Sequence, residues 1–168
     1  MTKTLFSFTV ETPLGSMQAL SDGTHLFLLE FVDQKGLAKK IDRIAQKAGA
    51  LVQTGEPKNK KVIEKELKAY FEGTLKTFTI PLLALGTPFQ ERVWNELKKI
   101  LHGETRSYGQ VAKAIGKPTA FRAVAGANSK NPLSILIPCH RVINTDGKMG
   151  GYSGGLSRKR WLLDHEEK

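Results

Sequence analysis

Residues 107–129 read SYGQVAKAIGKPTAFRAVAGANS, and this stretch sets the architecture of the half of the chain around it. Ser107 and Gln110 form a capping pair, in which the hydroxyl accepts the Gln110 amide and the glutamine side chain returns to the Ser107 amide. The pair opens a short helix to Ile115, which Gly116 closes and Pro118 follows. Thr119 has the chemistry to cap a further helix running to about Ser129. Two short helices joined by a tight glycine-containing turn make a helix-turn-helix, although many helical domains contain such a turn. The second helix is built from small residues around Arg122, namely Ala123, Gly126 and Ala127 among them. A face of this kind admits close backbone approach to a surface but has few side chains for reading base edges. It suits a minor groove entered with little sequence choice; helix-on-helix packing through alanines is the plainer alternative.

Upstream, Thr87-Pro88-Phe89-Gln90 repeats the capping pattern with proline at the first helical position. Phe89, Val93, Trp94, Leu97, Ile100 and Leu101 then form one apolar stripe, with Trp94 in the core. Downstream, residues 135–143 read Ile-Leu-Ile-Pro-Cys-His-Arg-Val-Ile, and Cys139 is the only cysteine. It cannot close a disulfide within one molecule, and its surroundings are too apolar for a solvated loop. The thiolate is the nucleophilic form, and an ordinary cysteine with a pKa of about 8.5 is only slightly ionised at neutral pH. His140 and Arg141 are neighbours that raise the ionised fraction; an inert thiol filling a core gap is the alternative. On an extended segment His140 points to the face opposite Cys139. Residues 144–155 hold five glycines with Tyr152 and Ser153, the composition of a loop whose backbone can approach a flat ligand. If residues 157–166 are helical, Leu162 and Leu163 define the buried face. Glu166 then turns inward while Asp164 and Glu167 turn away.

The N-terminal half reads as a small α/β domain. Strands are expected at Leu5–Val10, Met17–Leu20, Leu26–Val32 and Phe78–Ile80, with Ser21-Asp22-Gly23 as hairpin-turn chemistry. Helices are expected over 37–48, from the spacing of Leu37, Ile41 and Ile44, and over Lys60–Phe71, ended by Gly73. Segment 81–87 joins this domain, residues 1–84, to a mainly helical one over residues 85–168.

With 40% hydrophobic and 25% charged residues, the 168-residue chain has the composition of a soluble globular protein. No apolar run approaches the roughly 20 residues of a membrane span, and the N-terminus lacks the apolar core of a signal peptide. A single cysteine fits a reducing compartment and excludes a multi-cysteine zinc site. The net charge of +10 is uneven: residues 1–84 carry 12 Lys/Arg against 9 Asp/Glu, residues 85–168 carry 14 against 7. The half with the cysteine is the more basic. Such a surface attracts a polyphosphate, or simply belongs to a basic protein with no nucleic-acid partner.

Pro138-Cys139-His140-Arg141 resembles the active-site signature of the O6-alkylguanine-DNA alkyltransferases. The likeness continues through Tyr152-Ser153-Gly154-Gly155-Leu156 and Trp161-Leu162-Leu163-Asp164-His165-Glu166. Upstream it takes in Ser107-Tyr108, Arg122-Ala123-Val124 and Asn131-Pro132. It covers about residues 87–166 well and the N-terminal half loosely. The resemblance implies a ribonuclease-H-like α/β domain followed by a winged-helix-like helix-turn-helix domain. It implies irreversible transfer of an alkyl group from guanine O6, and possibly from O4-alkylthymine, to Cys139, consuming the protein. His140 would act on Cys139 through a water, oriented by Glu166. Tyr108 would orient the base and share a proton at guanine N3, and Arg122 would hold the gap left by the extruded nucleotide. Tyr152, Ser153 and Asn131 would be the substrate-binding residues, the first two contacting the guanine and Asn131 serving a hinge. Ala123, Gly126 and Ala127 would lie with Tyr108 against DNA. The expected partner is double-stranded DNA containing O6-alkylguanine. The protein is expected to act as a monomer with no cofactor or metal, in the cytoplasm and at the nucleoid in a prokaryote. Some relatives carry a zinc in the N-terminal domain, from which this one-cysteine chain departs. A damage sensor without transfer activity and a cysteine hydrolase using Cys139, His140 and Glu166 are the rivals. A cysteine phosphatase is disfavoured because the residue six after Cys139 is Thr145, not arginine.

Overall fold

The structure, a computed structural model, describes residues 2–168 and divides into two compact units between Leu85 and Gly86. The first unit contains β1 (Lys3–Thr12), β2 (Gly15–Ser21), β3 (Leu26–Phe31), α1 (Leu37–Ala48), β4 (Ala50–Thr54) and α2 (Lys60–Phe71). The strands form one sheet in the order β3-β2-β1-β4. Both hairpin pairs are antiparallel, whereas β4 runs parallel to β1. Local chemistry makes the turns: the Asp22 carboxylate accepts the amides of Thr24 and His25 at 2.9 and 2.7 Å. The helical spacing of Leu37, Ile41 and Ile44 lays α1 on Leu5, Leu20, Phe27 and Leu28. Helix α2 buries Ile63, Leu67 and Tyr70 and is ended by Gly73, which takes a φ of 83°. Each such side chain contributes roughly 1.5–3 kcal/mol by leaving water.

Two expectations for this unit change. Phe78–Ile80 is not a strand, because the Thr79 amide and hydroxyl both bond the Glu66 carboxylate of α2. The sheet gains only a single bridge nearby, between Leu26 and Leu82. The fourth strand is instead β4, which follows α1 directly after Gly49. Its Leu51 and Val52 are exposed on the sheet edge, so no alternation of apolar and polar residues marks it.

The second unit is mainly helical: α3 (Pro88–Leu97), α4 (Tyr108–Ala114), α5 (Phe121–Ser129) and α6 (Leu156–Glu166). Two short strands, β5 (Arg106–Ser107) and β6 (Val142–Ile143), pair in parallel. Both capping boxes form, Thr87 with Gln90 and Ser107 with Gln110. The turn between α4 and α5 passes through Gly116 at φ 77°. Helix α5 starts at Phe121 without a side-chain cap, so Thr119 lies in the turn rather than capping. Helix α3 ends at Leu97, and the turn beyond it keeps Ile100 buried while exposing Leu101. Trp94 is buried, and its indole donates to the Ala127 carbonyl at 2.9 Å, tying α3 to α5. Among the described residues no helix is long and apolar enough to cross a membrane.

Candidate active site

The chain between α5 and the cysteine is folded by one asparagine. Asn131 is buried and donates from Nδ2 to the carbonyls of Ile137, at 2.9 Å, and Leu133, at 3.4 Å. Its Oδ1 accepts the Leu133 amide at 2.9 Å. These bonds bracket Ile135, whose φ of 75° is a conformation that β-branched residues avoid. Fixing such a residue costs about 1–3 kcal/mol, which the surrounding bonds must offset. Asn131 does not line the cavity described below. It therefore shapes the approach to Cys139 rather than touching a ligand, which revises its expected place among the substrate contacts.

Cys139–Arg141 is a single 3-10 turn, not the extended segment expected, because the Arg141 amide bonds the Pro138 carbonyl at 3.0 Å. Side chains on such a turn diverge by about 120°. All three are buried. Helix α6 brings Glu166 to the other two: its Oε2 lies 2.8 Å from His140 Nε2, and its two oxygens accept from Arg141 Nε at 2.8 Å and Nη2 at 3.0 Å. The remaining Arg141 nitrogen, Nη1, donates to the Ile100 carbonyl at 2.7 Å. Burial pushes the Glu166 carboxyl up, but the bonds and charges of His140 and Arg141 outweigh it and hold it well below the usual carboxylate range. A carboxylate only accepts, so His140 Nε2 carries the hydrogen and Nδ1 the lone pair. That Nδ1 is buried and has no hydrogen-bond partner among the described residues. Burial pushes the His140 pKa down, against the pull of Glu166, so the ring is neutral at physiological pH.

Beside this pair stands a charge that the sequence reading overlooked. Lys159 is fully buried, and its Nζ donates to the carbonyls of Val142, at 2.6 Å, and Gly151, at 3.0 Å. Burial lowers its pKa to about 8, while the charge of Cys139 pulls it back up. A signal was available, since Lys159, Leu162, Leu163 and Glu166 fall at i, i+3, i+4 and i+7, one face of a helix.

Cys139 opens onto a cavity of about 520 Å³ within the second unit, lined also by Tyr108, Arg122, Asn128, Tyr152 and Ser153. Tyr108 is half-buried; burial and the nearby Cys139 raise its pKa, and Asn128 opposes them. The loop carrying Tyr152 packs close to it. At Gly150, φ 71°, a Cβ would fall 2.9 Å from the Asn144 side chain and 3.2 Å from the Tyr108 ring. Arg122 stands exposed at the cavity, its guanidinium 6.0 Å from the ring of the exposed Phe121. Ala123 and Gly126 are exposed on the same helix. Ala127 is turned inward and buried, because its turn of α5 packs on Trp94, so it leaves the outward face to the other two. His140 and Glu166 do not line the cavity. The arrangement supplies a thiol at an open cavity, a buried neutral base held by a carboxylate, and a phenol that can give a proton.

Comparison with known proteins agrees over both units. Residues 5–84 match the ribonuclease-like domain of 6-O-methylguanine DNA methyltransferase, and residues 88–168 match its DNA binding domain. The chain is 41% identical over 158 residues to a methylated-DNA–protein-cysteine methyltransferase of Mycobacterium leprae, covering 94% of this chain and 90% of that one. It is 54% identical over 102 residues to the protein of that name from Methanosarcina acetivorans, covering 61% and 65%. The crystal structure of Mycobacterium tuberculosis OGT in complex with DNA superposes with a TM-score of 0.83 at 39% identity, over 98% of this chain and 92% of that one. With an α/β sheet unit and a helical unit matched each to its own domain, the chain belongs to the 6-O-methylguanine DNA methyltransferase family.

Proposed function

We propose that this protein repairs double-stranded DNA by moving the alkyl group of O6-alkylguanine to Cys139, and that each molecule is consumed by one lesion. A base cannot be reached in the stack, so the damaged nucleotide rotates into the cavity. Arg122 fills the place it leaves, while Ala123 and Gly126 let α5 approach the groove. Tyr152 and Ser153 hold the guanine, with Ser153 near O6. His140 Nδ1 takes the thiol proton through a bridging water, and the Glu166 carboxylate stabilises the imidazolium that forms. The thiolate attacks the alkyl carbon, the carbon–O6 bond breaks, and the electron pair passes to the guanine. Tyr108 protonates that leaving group at N3 and is reprotonated from His140 or solvent. The product is a thioether and unmodified guanine. A thioether resists displacement by the neutral hydroxyls of Tyr108 and Ser153 in the same cavity, so the thiol is not regenerated. The protein acts as a monomer in the cytoplasm.

The observation that carries this reading is one cavity shared by the thiol, the phenol and Arg122, with the His140–Glu166–Arg141 cluster buried beside the thiol. The test is mass spectrometry of the tryptic peptide Asn131–Arg141 after incubation with duplex DNA carrying one O6-methylguanine. A stoichiometric gain of one methylene on Cys139 is expected. Cys139→Ala should transfer nothing yet bind the same DNA within about threefold, because the thiol adds little to phosphate and groove contacts. An unmodified wild-type peptide with the lesion still bound would make the protein a sensor.

A further inference from the structure

The last turn of α5 carries a buried amide to which the reaction as drawn above gives no work. Asn128 lies about 240° round the helix from Arg122. Arg122 therefore faces outward while Asn128 is turned into the unit, where it lines the cavity with Cys139 and Tyr108. Its Nδ2 donates to the Cys139 carbonyl at 3.3 Å. An amide nitrogen carries two hydrogens. Tyr108 lines the same cavity, and the Asn128 side chain acts on its hydroxyl in the sense that favours the ionised phenol. The Asn128 Oδ1 is enclosed and has no hydrogen-bond partner among the described residues. An enclosed acceptor without a donor is a penalty that a leucine of similar volume would not carry. Packing therefore does not explain the amide; its nitrogen does.

We propose that Asn128 is a positioning residue for the transfer reaction, one amide hydrogen holding the Cys139 carbonyl and the other given to the Tyr108 oxygen. There it receives the negative charge that develops as Tyr108 protonates the departing guanine, so the inference rests on the function proposed above. A donor aimed at developing charge acts more strongly in the transition state than in the resting site. Asn128 also makes the DNA-facing helix the support of both reacting groups. Seating α5 on DNA and aligning the thiol with the phenol are then one event.

The experiment is a double-mutant cycle in the full-length protein, reading single-turnover methyl transfer from an O6-methylguanine duplex. Asn128→Leu should slow transfer about 10- to 100-fold, the range for a lost hydrogen bond to a charged group. In a Tyr108→Phe background the same substitution should slow it several-fold less than in the unsubstituted protein, because only the bond to the Cys139 carbonyl is then lost. Asn128→Ala is run alongside, so that a poor fit of leucine cannot produce the result, and melting temperatures are taken for every variant. Equal slowing with and without the Tyr108 hydroxyl, or no slowing at all, overturns the proposal. Absence of transfer by the unsubstituted protein would remove the function itself. Transfer by that protein with additive losses would remove only the role of Asn128.

Discussion

The two units of this chain are close in size and opposite in what they bury. The first unit packs Leu5, Phe8, Met17, Leu20, Phe27, Phe31, Ile63 and Tyr70 into an apolar core. Its buried polar residues, among those described, are Ser21 and Glu30, the latter 3.4 Å from Lys40 of α1. The second unit buries Asn128, Asn131, Ser134, His140, Arg141, Lys159 and Glu166. Removing charges from water is unfavourable unless they are paired and hydrogen-bonded. A domain folding for stability alone would do better with apolar residues at those positions. The second unit accepts that penalty around one thiol, at the place where the proposed transfer would occur.

The strongest way to break the contrast is Glu166→Gln. It leaves Arg141 and His140 buried without their counter-charge, which should cost about 3–5 kcal/mol. Transfer should fall at least 100-fold as His140 loses the partner that fixes its tautomer. Ile63→Ala in the first unit should cost a comparable 2–5 kcal/mol by leaving a cavity, yet the folded fraction should transfer within about twofold of the wild-type rate. Urea denaturation paired with single-turnover transfer separates the two, and equal losses of rate would erase the distinction. Arg122→Ala comes next. It should slow repair in duplex about 10- to 100-fold and reaction with a free O6-alkylguanine base less than about twofold, since only duplex needs the stack held open. Equal impairment of both substrates would remove that role.

The smallest effect has the sharpest sign. Lys159→Met should raise stability at pH 7 by about 1–3 kcal/mol, as replacing a buried charge by an apolar side chain often does, while slowing transfer. The folded pKa of Lys159 is lowered to about 8 from an ordinary 10.5. Over that interval the unfolded chain binds more protons, so wild-type stability should rise with pH there and the Lys159→Met protein should lack that rise. At the acid end, His140 and Glu166 are both depressed from ordinary values of 6.5 and 4.5. Stability should therefore fall as pH drops below about 6.5, first through His140 and then through Glu166. Urea midpoints between pH 3 and 10.5 check both limbs.

Local chemistry is legible in the sequence. Helices α1 and α2 run over 37–48 and 60–71 as their apolar spacing indicates, and both capping boxes form where Thr87 and Ser107 announce them. These features depend on residues within four positions of one another, so a sequence displays them directly. The inward turn of Glu166 follows from the same spacing. What escaped was decided across longer distances. Strand β4 exists because β1 offers it an edge, and Phe78–Ile80 fails as a strand because the Glu66 carboxylate takes the Thr79 amide. Ala127 faces inward because Trp94, 33 residues earlier, needs its carbonyl.

The sequence by itself determined the lone cysteine in its apolar segment, the helix-turn-helix and the family likeness, because each is written in neighbouring residues or in a motif. Only the tertiary structure decided that Lys159 is a buried charge near the thiol and that Arg141 is held there by Glu166 and the Ile100 carbonyl. It also decided that Asn128 faces Cys139 and Tyr108 rather than solvent. Burial of a charge or an amide depends on which carbonyls and carboxylates the fold brings to it. Those partners lie from 8 to 41 residues away along the chain.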